Sequence, residues 1–172
     1  RDVHEIKKDY NLIVRGLSSS MEVNSENDGM SLDDILAILK SSLDASLPAG
    51  KHLTFNVTLE DNLYTQNHYL LLSIFRNLFN NAIEAESSSQ VCLSVRQSST
   101  ESSYIIEVED HGPGIDPEDM EQIFEPGFST KINYETGEVN RGLGLSLVKD
   151  FIEIRLGGTI RVSSVPGQTI FT

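Results

Sequence analysis

The chain has 172 residues, enough for one hydrophobic core with a small appendage, and carries a formal net charge of −13. So acidic a composition argues against a nucleic-acid partner, which would want a basic face. The single cysteine, Cys92, excludes an internal disulfide framework and fits a reducing cytoplasm, and no apolar run reaches membrane-span length.

In chain order, residues 2–24 read as a helix with Val3, Ile6, Tyr10, Ile13, Val14 and Leu17 on one stripe, interrupted by Gly16. His4 stands at its start beside Glu5, and Ser25-Glu26-Asn27-Asp28-Gly29 is a turn. Ser31 is the expected N-cap of a second helix, with Asp34 three residues on. That helix runs through Ile35, Leu36, Ile38, Leu39 and Leu43 and stops before Pro48-Ala49-Gly50. Leu53 to Leu59 alternates strictly and reads as a half-buried strand.

From Tyr69 to Ala85 the period changes. Leu70, Ile74, Leu78 and Ala82 recur every four residues, with Leu71, Phe75 and Ile83 alongside, which predicts an amphipathic helix. Asn77 and Asn81 lie four apart on one face of it. Their carboxamide oxygens are hard ligands, suited to a Mg²⁺ that is bound mainly through substrate phosphates; the bland alternative is a pair of satisfied core or capping asparagines.

Val91–Arg96 and Tyr104–Glu109 are two further strands joined by a Ser/Thr-rich loop. Asp110-His111-Gly112-Pro113-Gly114-Ile115 is a strand end running into a glycine turn, where the backbone can pass close to a ligand. Asp116 and Pro117 are expected to start a short helix, as N-cap and first helical residue. Residues 132–141 show no periodicity and read as a loop. Gly142-Leu143-Gly144-Leu145 opens a helix to Leu156 with Leu145, Leu147, Val148, Phe151, Ile152 and Ile154 as its apolar positions. A helix N-terminus opened by glycines binds phosphate through free N–H groups and the dipole. Thr159–Ser163 and Gln168–Thr172 form a last hairpin around Pro166-Gly167. Interleaved strands and helices with several short strand links predict an α+β sandwich, with helices on one face of a mixed sheet.

No single motif here is specific, but the ordered set of an NxxxNA helix, DxGxGI, FEPGFSTK and RGLGL is. The chain resembles the catalytic ATP-binding domain of bacterial two-component sensor histidine kinases, within the GHKL superfamily. Asn77–Ala85 resembles the N box, Asp110–Ile115 the first glycine box, Ile123–Phe128 the F box and Gly142–Leu145 the second glycine box. The NAIEA and GFSTK segments are similar in style to the citrate, dicarboxylate and glutamine sensor kinases. The resemblance covers residues from about Ser31 to Thr172 and implies a two-layer GHKL (Bergerat) sandwich there, with residues 1–30 as a helical dimerisation and phosphoacceptor segment.

The resemblance also implies roles. Asn81 would hold Mg²⁺, with Asn77 on the phosphate side. Asp110 would read the adenine amine of ATP, with Thr169 as a helper through water. Gly112 and Gly114 would shape the base pocket, Lys131 and Arg141 would be lid contacts to phosphate, and Gly142, Leu143 and Gly144 would cradle the triphosphate. Hydrolytic relatives place a glutamate one turn before the metal asparagine; here that residue is Asn77, which cannot act as a base at neutral pH. The implied activity is therefore ATP-dependent phosphorylation of a protein histidine. His4, in a segment similar to the family's H box, is the expected acceptor, with Glu5 orienting its ring. Lys8 departs from the Thr or Asn used in the family's phosphatase reaction, and the turn at residues 25–29 is short for the family's two-helix hairpin. His52, His68 and His111 read as structural.

Implied partners are the receiver domain of a response regulator and a second copy of the chain. The chain starts at Arg1, without an initiator Met, and is expected to be part of a longer protein, so any membrane span would lie in segments outside it. Two other classes share parts of this pattern: a non-catalytic nucleotide-binding regulatory module and an anti-sigma-type serine kinase.

Overall fold

The computed structural model describes residues 29–45, 47–60, 62–85, 90–98, 100, 103–128 and 144–172. The expected N-terminal helix, and with it His4 and Glu5, lies outside the described residues, as do Lys131, Arg141, Gly142 and Leu143.

Among the described residues, seven strands and three helices follow in order: β1 Met30–Ser31, α1 Leu32–Asp44, β2 His52–Thr58, β3 Tyr64–Thr65, α2 His68–Glu84, β4 Gln90–Gln97, β5 Tyr104–Asp110, α3 Gly144–Asp150 continuing as a π-helical turn Phe151–Arg155, β6 Val162–Val165 and β7 Gln168–Phe171. The main sheet has the order β2-β4-β5-β7-β6. The β2–β4 pair is parallel and the other three are antiparallel, which makes the expected mixed sheet.

One face of that sheet is apolar because the register aligns its inward residues into rows. Phe55, Leu93, Val108, Phe171 and Val162 stand side by side across all five strands. Against this row pack α1, through Leu32, Ile35, Leu36, Leu39 and Leu43, and α2, through Ile74, Phe75, Leu78, Phe79 and Ala82. Phe79 meets Phe55 of β2 with ring centroids 5.7 Å apart. The opposite face carries Thr54, Cys92, Ser94, Glu107 and Glu109, all half-exposed. Two layers result, and the site lies where the inward face runs out of apolar rows.

The Ser31 cap forms as expected: its hydroxyl accepts the Asp34 N–H at 3.2 Å. Three expectations are corrected. Residues 117–124 are not a regular helix but successive turns closed by Asp119 N–H to Asp116 O, Gln122 N–H to Asp119 O and Glu125 N–H to Gln122 O. Three-residue steps leave most N–H groups out of an i to i−4 ladder. The last helix widens into a π turn at Phe151, which shifts the side-chain phase. Ile154 is thereby 74% exposed rather than part of the apolar stripe. The last hairpin begins at Val162, three residues later than expected, because Pro166-Gly167 is a two-residue turn that pairs Val165 with Gln168. One element had no counterpart in the sequence reading: β1 and β3 form a two-stranded ribbon that no periodicity could announce at two residues each.

Candidate nucleotide site

The next inward row of the sheet is Leu53, Val91, Asp110, Thr169 and Ser164. It begins apolar and ends polar. Asp110 is 7% exposed and Thr169 4% exposed, and they are direct cross-strand neighbours on β5 and β7. A buried carboxylate needs a reason, since desolvation disfavours its charge. One oxygen, Oδ1, accepts the Gly112 N–H at 2.9 Å. Burial raises the Asp110 pKa above its ordinary value; the Gly112 bond and the charges of His111 and Lys51 oppose the rise, and Glu109 adds to it. Buried groups with shifted pKa values cluster at functional sites.

The turn after Asp110 is pinned to the last hairpin. Gly167 N–H donates to Gly112 O at 3.0 Å, and Ile115 N–H donates to Ser164 Oγ at 2.8 Å. Gly114 has φ +88°, and a Cβ there would lie 2.8 Å from Val165 O. Conformation and space both demand glycine; the sequence reading expected a close backbone approach to a ligand here, and the approach the structure shows is to β6.

On α2, Asn77 Nδ2 donates to Ser73 O at 2.8 Å. Because a backbone carbonyl can only accept, this bond fixes which end of the carboxamide is which. The carbonyl end faces the start of α3: a Cβ on Gly144 would lie 3.1 Å from Asn77 Oδ1. The Asn77 turn of α2 and Gly144 therefore meet at a contact that a side chain at position 144 would crowd. Asn81 lies one turn further along α2 and is half-buried.

Lys51 is a residue the sequence reading missed. Its Nζ donates to Ile83 O and, at 3.0 Å, to Ala85 O, so it caps the C-terminal end of α2, where the last turn has no basic residue of its own. It precedes β2, and only the parallel β2–β4 pairing brings it near α2 and Asp110. Ser164 was also missed. Its signal was present in Pro166-Gly167, since a two-residue turn there sets Ser164 opposite Thr169.

Residues 66–172 match the model of the family described as histidine kinase-, DNA gyrase B- and HSP90-like ATPases. The chain belongs to that family. Among curated relatives, it is 34% identical over 153 residues to the sensor histidine kinase GlnK of Bacillus subtilis, covering 88% of this chain and 37% of that protein. It is 36% identical over 143 residues to the sensor histidine kinase DcuS of Escherichia coli K12, covering 80% of this chain and 24% of DcuS. It thus spans well under half the length of these relatives. In fold it is similar to the catalytic domain of histidine kinase ThkA, with TM-score 0.66 and 24% identity over 84% of this chain and 93% of that one. The Acinetobacter baumannii histidine kinase AdeS gives TM-score 0.63 and 24% identity, covering 98% of this chain and 74% of that one. The α+β two-layer architecture is therefore that of histidine kinase catalytic domains, and ATP binding is the family's property.

The residues present fit that ligand. The half of the Asp110 carboxylate not used by Gly112 is an acceptor at the polar end of the row, and Gly144 offers an unobstructed helix start beside a carboxamide oxygen. Among the described residues no group of three His, Cys, Asp or Glu side chains could hold a metal. A cation here would rest on carboxamide oxygen and ligand phosphates, which is the coordination Mg²⁺ tolerates. No helix among the described residues is long and apolar enough to cross a membrane.

Proposed function

We propose that this chain is the catalytic part of an ATP-dependent protein-histidine kinase of a two-component system. The observation that carries the reading is the buried Asp110 carboxylate beside Thr169, on a sheet whose covering helix presents Asn77 to the Gly144 helix start. Asp110 accepts the adenine amine, and Gly112 and Gly114 shape the base pocket. Asn77 and the Gly142-Leu143-Gly144 segment position the triphosphate, with Lys131 and Arg141 as further phosphate contacts. Asn81 would hold a Mg²⁺, which when bound would supply charge neutralisation for the transferring phosphoryl group.

The position one turn before Asn81 holds a carboxamide already engaged with Ser73 O, so no carboxylate activates water there. The phosphoryl group goes instead to a side chain. A neutral imidazole nitrogen of His4 attacks the γ-phosphorus; an N–P bond forms, the bond to the β-phosphate oxygen breaks, and ADP leaves. Glu5 holds the other ring nitrogen. The phosphoryl group then passes to an aspartate of a response-regulator receiver domain. The chain acts as a homodimer, within a larger protein that supplies any membrane anchor.

Incubation with γ-labelled ATP and Mg²⁺, followed by acid and base treatment, tests this. Acid-labile, base-stable label is expected, lost in His4→Gln while ATP binding persists. Label that survives His4→Gln would remove His4 from the reaction. Acid-stable label would favour a serine kinase, and ATP binding without label in the dimeric full-length protein would favour a regulatory module.

A further inference from the structure

The site contains one hydroxyl whose direction matters and one residue placed to set it. Thr169 is buried beside Asp110 at the polar end of the inward row. A buried hydroxyl needs a specific hydrogen-bond partner, as donor or acceptor. Its partner is Ser164, the next residue in the same row, with Oγ to Oγ1 at 2.7 Å. Ser164 Oγ also accepts the Ile115 N–H at 2.8 Å, a donor that cannot reverse.

We propose that Ser164 is a positioning residue that sets the direction of the Thr169 hydroxyl at the nucleotide base, and through it the preference for adenine. The inference rests on the reading of Asp110 as the adenine contact. The Ile115 N–H occupies one lone pair of Ser164 Oγ. Of the two directions the 2.7 Å contact allows, the proposed one has the Ser164 O–H donating to Thr169 Oγ1, which leaves the Thr169 proton to point at the ligand directly or through a water. Asp110 then presents an acceptor and Thr169 a donor, side by side. Adenine offers the complement, an exocyclic amine donor next to a ring-nitrogen acceptor. A 6-oxopurine reverses both, with an acceptor at the exocyclic position and an N–H donor in the ring. Without Ser164 the Thr169 hydroxyl is free to turn and accept, and the discrimination falls.

Ser164 stands one strand further from Asp110 than Thr169 does, so its effect on the base is expected to run through Thr169. The turn at Gly112–Ile115 keeps its second tie, Gly167 N–H to Gly112 O, when Ser164 is replaced. Ser164→Ala should therefore fold, as a thermal melt would verify.

The test is a double-mutant cycle on the full chain, read by calorimetric binding of ADP and inosine diphosphate. Ser164→Ala should weaken ADP binding about fivefold, the scale of one neutral hydrogen bond, and narrow the ADP-to-IDP ratio. Thr169→Val should do the same, and the double variant should lose no more than Thr169→Val alone. Ser164→Thr should restore both the affinity and the ratio. Additive losses, an unchanged ratio in Ser164→Ala, or a folded Ser164→Thr that does not rescue would each overturn the proposal. A wild-type chain that binds ADP no better than IDP would overturn the base-contact reading of Asp110 and this proposal with it.

Discussion

Asp110→Asn separates the cost of the buried carboxylate from its use. The substitution is isosteric and keeps a carbonyl oxygen able to accept the Gly112 N–H now held at 2.9 Å. It removes the charge and turns the ligand-facing oxygen into an N–H₂ donor. In the empty domain burial holds the Asp110 pKa above its ordinary value. The folded state therefore binds more protons than the unfolded state between those two values, so Asp110 costs stability as pH rises through that window. The cost is complete above the folded pKa. Asparagine has no such cost, so the variant should melt higher than wild type at pH 7, with the difference shrinking as pH falls through the window. Binding should move the other way. Losing a hydrogen bond to a charged acceptor is worth about 1.5–3 kcal/mol, or roughly a 10- to 150-fold rise in the ADP dissociation constant. Donor facing donor places the expectation at the upper end. Thermal melts from pH 4 to 8 and calorimetric titration with ADP on the same samples read both effects. An Asp110→Asn chain that binds ADP within threefold of wild type, or that melts below wild type at pH 7, would refute this account of the site.

Two of the positive-φ glycines make a matched pair: Gly114→Ala meets Val165 O at 2.8 Å, whereas nothing lies within 4 Å of a Cβ at Gly50. Backbone strain alone costs about 1–2 kcal/mol and overpacking about 1–3 more, so chemical denaturation should show Gly114→Ala clearly less stable than Gly50→Ala. Gly144→Ala presses a methyl to 3.1 Å from Asn77 Oδ1, so it should weaken ATP binding more than adenosine binding while moving the melting temperature little. Lys51→Met leaves Ile83 O and Ala85 O without their cation and should cost about 1–2 kcal/mol in urea denaturation. It also removes a charge that lowers the Asp110 pKa, so the acid limb of the ADP-binding profile should shift to higher pH; an unshifted limb would disconnect the two residues. Asn81→Ala should abolish the Mg²⁺-dependent part of ATP affinity and all labelling, while ADP binding without Mg²⁺ survives.

Most of the local structure was legible in the sequence because its causes are local. The period of four from Leu70 to Ala82 fixed α2, the Ser31 hydroxyl fixed the start of α1, and alternation marked β2, β4 and β5. Asp110, Gly112 and Gly114 were legible as a strand end running into a glycine turn; that Asp110 is buried and that Gly114 faces Val165 O came only from the structure. What failed locally was what local pattern does not encode. The turns after Pro117 and the π turn at Phe151 depend on how each segment meets the sheet; Phe124, for example, packs edge-on against Phe171 of β7, with Lys149 of α3 over its ring. The site itself is non-local. Asp110 meets Thr169 across β5–β7, Ile115 reaches Ser164, and Lys51 reaches the end of α2, each pairing joining segments far apart in the chain. Sequence determined which residues could carry the chemistry, through side-chain type and periodicity. Only the tertiary structure decided which of them share one row of the sheet, because strand order and register arise from burying the whole inward face at once and not from any one strand.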